Sequence, residues 1–149
     1  MNPRAAEIVA VAQVVASVGM FGVIWLVQVV HYPLMRFVSE PHFTRFESAH
    51  RTRISLVVGP LMAVEAACVL AFLFAAPPGL SSWLPWAGAG AEAVAIGTTA
   101  LVSAPLHDRL NARFESATLN QLIATNWIRT AAWTVRAALA IAILVAVFR

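Results

Sequence analysis

The chain has 149 residues, of which 60% are hydrophobic and only 11% charged, with a mean hydropathy of +0.79; a soluble domain carries about 25% charged residues. Little of such a chain is left over for an aqueous catalytic module. Its basic residues are all arginine, giving a net charge of +3, and they are scattered rather than clustered with exposed aromatics, so nucleic acid is not implied as a partner. The lone Cys68 lies in an apolar run, which excludes an internal disulfide and dithiol redox chemistry within one chain.

The first apolar run, residues 8–30, reaches roughly 35 Å as a helix and is long enough to cross a bilayer. It is longer than a secretory apolar region and ends in His31-Tyr32-Pro33 rather than at a small-residue cleavage site, so it reads as a retained helix.

Residues 37–53 follow, in which Phe37, Phe43 and Phe46 alternate with Arg45, Glu47 and Arg51. That pattern suits an amphipathic interfacial helix running directly into the next span. The second span, residues 54–76, contains Pro60 and is expected to bend there, because proline removes a backbone donor and bilayer helices tolerate the loss. Pro77, Pro78 and Gly79 stop it, and residues 81–86 form an uncharged turn with two tryptophans suited to a membrane interface.

The third span, residues 86–106, is rich in Ala and Gly, which let helices approach closely where packing drives association. Residues 107–125 form a second connection, and residues 126–148 the fourth span. The expected fold is all-α, an integral membrane four-helix bundle in one domain. Arg45-Phe46-Glu47-Ser48-Ala49 recurs as Arg113-Phe114-Glu115-Ser116-Ala117, each after a Pro-Leu pair, which raises the idea of two helical hairpins in parallel repeat.

Both long connections leave one face, which carries Arg36, Arg45, Arg51, Arg53, Arg109 and Arg113. By the excess of positive charge on short cytoplasmic connections, they are expected on the cytoplasmic side of a bacterial inner membrane, with both termini outside.

Three histidines mark helix ends on that face: His31, His50 and His107, with Asn126 at the corresponding level of the fourth span. Their convergence would give the geometry that haem or transition-metal ligation between helices requires; the alternative is that they hydrogen-bond headgroups. His42 reads as solvated.

Deeper in the bilayer, Glu65 and Glu92 share a depth, and Arg136 is the cation available to them. A lone charge at mid-bilayer costs about 2.5 to 3.5 kcal/mol on insertion scales, so pairing is expected, for structure or for function. Arg129, with Asn126 and Trp127, can fork onto a carboxylate, phenolate or quinone oxygen, or onto a lipid phosphate.

Through Pro105-Leu106-His107-Asp108-Arg109-Leu110 and Asn126-Trp127-Ile128-Arg129-Thr130, the second half resembles the four-helix bacterial membrane family related to fungal anthrone oxygenases. His107 stands where many members have Asn. The resemblance implies an oxidase or oxygenase acting on a flat aromatic substrate at the membrane. The histidine ending the first helix is also similar to that of the small four-helix haem-containing protoporphyrinogen oxidase.

The leading expectation is a membrane-embedded oxidoreductase in which His31, His50 and His107 hold a metal or haem or carry protons. Asn126, Trp127, Arg129, Arg136, Glu65 and Glu92 would contact an apolar, aromatic or quinone-like small molecule. The competing expectation is a non-catalytic transporter or an assembly or structural subunit. The bilayer is the expected partner, and self-association stays open.

Overall fold

A computed structural model describes all residues, 1–149. Four helices, each long and apolar enough to cross a membrane, make up the fold: α1, Pro3–Phe37; α2, Glu40–Ala75; α3, Trp83–Ala112; and α4, Ser116–Val147. Packing runs around the bundle, with α1 against α2 and α4, and α3 against α4 and α2. Large apolar side chains such as Phe74 and Leu101 point outward, 84% and 80% exposed. In water this surface would be unstable; against lipid tails it is the expected exterior.

Local chemistry fixes the ends. Asn2 Oδ1 accepts from the Ala5 amide at 2.8 Å and Pro3 takes the first helical position, so α1 begins at a side-chain cap followed by the residue that needs no donor. The α2–α3 turn contains Gly79 at φ 87°, a left-handed conformation that glycine adopts without strain. Before α4, Glu115 accepts from the Thr118 hydroxyl at 2.8 Å and from Arg113 at 3.0 Å. These two contacts hold its carboxyl below the usual carboxylate range.

The helices outrun the apolar segments at several ends. The first begins at Pro3, the third at Trp83, and the fourth at Ser116 instead of residue 126. The third continues to Ala112, so residues 107–125 are mostly helix and only residues 113–115 connect the two. Hydropathy marks the stretch that lipid covers, whereas backbone hydrogen bonding carries each helix on through its polar end. The amphipathic segment begins at Glu40 and is continuous with the second span, Pro60 included.

Both α1 and α3 contain a π-helical stretch, Val27–His31 and Thr99–Ser103, followed in each case by one residue and then Pro-Leu. The Tyr32 amide reaches Val27 O and the Ala104 amide reaches Thr99 O, bonds one residue longer than the α-helical pattern. Pro33 and Pro105 have no amide to donate, and the wider turn accommodates them while shifting which side chains face inward. This correspondence supports the hairpin repeat better than the pentapeptide does. Arg45–Ala49 lies inside α2, whereas Arg113–Ala117 straddles the α3–α4 connection, so the two copies are not equivalent in space.

The connections α1–α2 and α3–α4 emerge at one end of the bundle. Arg36 donates to Asn120 Oδ1 at 2.9 Å, and the Phe43 and Phe114 rings lie 4.5 Å apart. Beneath them Tyr32, Met35, Phe43, Leu106, Leu110 and Leu122 form an apolar core.

Candidate functional site

The π turn of α1 delivers His31 and Tyr32, the first half of α2 delivers Glu47 and His50, and the end of α3 delivers His107. These side chains meet. His31 and His50 stack with ring centroids 4.4 Å apart, and His50 lies 5.7 Å from His107. The convergence expected of the three histidines is therefore present.

Its organising group is one the sequence reading did not single out. Glu47, fully buried, places Oε1 at 2.5 Å from His107 Nδ1, and His107 Nε2 lies 2.9 Å from the Tyr32 hydroxyl. A carboxylate that orients an imidazole, which in turn contacts a hydroxyl, is the arrangement that general acid–base and nucleophilic catalysis share. Glu47 falls three positions before His50, and so shares its helix face; that spacing was the available signal. Tyr32 is flagged in sequence only as the neighbour of His31.

The polar chain continues into α4. Arg129 lies beside the Tyr32 hydroxyl and donates to Asn126 Oδ1 at 2.9 Å. Asn126 Nδ2 donates to Gln28 Oε1 at 2.8 Å, and Gln28 donates to Ile123 O at 3.2 Å. All four helices thus contribute to one network. Trp127 does not join it: half exposed, it faces outward with its ring 5.8 Å from Trp25. Asn126 occupies the inward face, and the adjacent position on a helix points elsewhere.

A second polar layer lies deeper, again with one residue from each helix. Arg136 Nη2 is 2.8 Å from Glu65 and Arg136 Nε is 3.6 Å from Glu92, while Ser17 hydrogen-bonds Glu65. The expected pairing of Arg136 with both carboxylates is present, and Ser17 joins it. Arg136 and Glu65 have no exposure at all. Gly88 opens the space: a Cβ there would stand 3.4 Å from Arg136 Nη1.

Between α1 and α2 a lateral cleft of about 350 Å³ opens toward the lipid-facing side, lined by His31, Phe46, His50, Ile54 and Val57. Phe46 continues the ring stack, 5.9 Å from His31 with planes 22° apart. His42 is exposed and pairs with Ser39 at 2.9 Å, as its reading as a solvated group implied.

The three histidines are not arranged as the expected shared metal site. Both His107 nitrogens are engaged by Glu47 and Tyr32, whereas His31 and His50 stack on one another and His31 Nε2 is buried without a partner. No group of three or more His, Cys, Asp or Glu side chains is arranged to hold a metal ion.

Comparisons with protein-family models, curated proteins and solved structures found no match for the chain.

Proposed function

We propose that the protein is a membrane-embedded oxidoreductase of oxygenase type, which uses Glu47, His107 and Tyr32 as its acid–base machinery. Its substrate is an apolar, aromatic or quinone-like small molecule arriving from the bilayer by the cleft beside His31 and His50. The observation that carries this reading is the buried contact sequence from Glu47 to His107 to Tyr32, at 2.5 and 2.9 Å. The resemblance of the segments around His107 and Arg129 to the anthrone-oxygenase-related family supports the same class.

The chemistry needs a base and an anion-stabilising group. Tyr32, its hydroxyl tied to His107, exchanges a proton with the acidic C–H or O–H of the substrate, and Arg129 stabilises the oxyanion that results. An electron-rich anion of this kind passes electrons to dioxygen. With anthrone as probe the balance is one anthrone and one O2 giving one anthraquinone and one water. In the proposed setting, a bacterial inner membrane, the two short connections face the cytoplasm.

Oxygen uptake by the purified protein in zwitterionic nanodiscs, with anthrone as probe, tests this. The reading expects uptake above the anthrone-only rate that His107→Ala abolishes; uptake equal in wild type and variant contradicts it.

The deeper layer favours one other reading, a proton-coupled transporter built on Glu65, Arg136 and Glu92, because charged groups at that depth mark ion pathways in many membrane proteins. That protein would show substrate-dependent proton flux lost on Glu65→Gln and insensitive to His107→Ala.

A further inference from the structure

On its interfacial half α2 borders two adjoining hollows. The lateral cleft already described is apolar. Beside it lies an open hollow of about 790 Å³ lined by Thr44, Arg45, Ser48 and Thr52 of α2 and Asn111 of α3. Ala49 and Arg53 line both, so the two are continuous over a side chain no larger than a methyl group.

The charge on this face is uncommitted. Arg51 is taken by Asp108 at 2.7 Å, but neither Arg45 nor Arg53 forms an ion pair. Glu47 faces the interior, in contact with His107. Residues 45, 48, 49 and 52 follow the three- and four-residue spacing of one helix face, so two guanidinium groups and the hydroxyls of Thr44 and Ser48 present donors to one space, while the Thr52 hydroxyl donates to Ser48 O at 3.0 Å. Guanidinium and hydroxyl donors together match the oxygens of a phosphate group.

The two hollows also lie where such a ligand would sit. They flank the junction at which α2 passes from its polar first turns into its apolar span, and arginine there keeps its head in the polar layer while its stem lies along apolar surface. The cleft volume of about 350 Å³ falls within the range of small-molecule pockets, about 300 to 1,000 Å³.

We infer that α2 carries a two-part site for an anionic amphiphile: Arg45, Arg53 and the neighbouring hydroxyls hold a phosphate-class head, and the apolar body enters the cleft against Phe46 and His31. As a statement about substrate class this rests on the acid–base reading of Tyr32 and His107; as a statement about binding it does not.

Native mass spectrometry of the detergent-solubilised protein with dodecyl phosphate tests it, with dodecanol and inorganic phosphate as the two half-ligands. The expected result is binding of dodecyl phosphate at least about tenfold tighter than either half-ligand. A similar loss is expected in the Arg45→Gln/Arg53→Gln double variant and in Phe46→Ala, with none in Arg109→Gln, an arginine outside both hollows. His107→Ala and Tyr32→Phe should bind it undiminished, which separates failure of this site from failure of the relay. Dodecanol binding as tightly as dodecyl phosphate, inorganic phosphate competing as well as the amphiphile, or an equal loss in Arg109→Gln would each overturn the inference.

Discussion

Glu47 and His107 stand 60 positions apart in sequence, on different helices, and their side chains meet at 2.5 Å with the carboxylate wholly shielded from solvent. Neither residue has another charged partner within ion-pair distance. The carboxylate selects which imidazole nitrogen faces Tyr32, and thereby sets the direction in which a proton can move. That pairing turns a group of interfacial histidines into a directed relay.

Glu47→Gln is therefore expected to slow anthrone-dependent oxygen uptake by about 10²-fold or more, the scale of a positioned acid–base contribution. The amide preserves shape but removes the charge that orients His107. Circular dichroism should remain that of wild type, so the loss will read as chemistry rather than unfolding.

Arg136→Leu is expected to be among the most destabilising single substitutions in the chain. It leaves Glu65 and Glu92 together without a cation, and breaking a buried pair from one side costs about 3 to 5 kcal/mol. Glu92→Gln should cost less than Glu65→Gln, since Glu65 is the nearer partner, at 2.8 Å against 3.6 Å, and also holds Ser17. Thermal unfolding in detergent, followed by the helical signal, ranks the three.

Gly88→Leu should destabilise as well, because a Cβ at that position already approaches Arg136 Nη1 at 3.4 Å and a longer side chain must displace the guanidinium. Gly90→Leu, where a Cβ meets nothing within 4 Å, should unfold within about 1 kcal/mol of wild type. Paired denaturation curves decide this.

The sequence reading recovered the four spans, the shared end of both connections and the meeting of Arg136 with its two carboxylates. Those follow from long apolar runs and from the cost of an unpaired charge in lipid, which are strong and local signals. The relay was not legible in the same way. Glu47 sits among exposed arginines in an amphipathic stretch and looks solvated; only the approach of α3 buries it. The inward turn of Tyr32 depends on the π stretch before Pro33, which a regular helical period does not show. The outward placement of Trp127 beside the inward Asn126 was not legible either, since it depends on which face of the helix packs inward and neighbouring positions face different ways.

Orientation can be checked in a Cys68→Ser background, with cysteine placed at the exposed positions Ser39 and Ser82 in turn. An impermeant maleimide added to intact cells should label only Ser82→Cys if the short connections are cytoplasmic. Labelling of Ser39→Cys alone reverses the orientation.

The most direct test of the relay is the rate of oxygen uptake by Tyr32→Phe, which removes one hydroxyl and leaves the ring, the π turn and the Glu47–His107 contact in place. A fall of about 10²-fold or more at unchanged thermal stability is the predicted result. Uptake at the wild-type rate would contradict the assignment of Tyr32 as the group that exchanges a proton with the substrate.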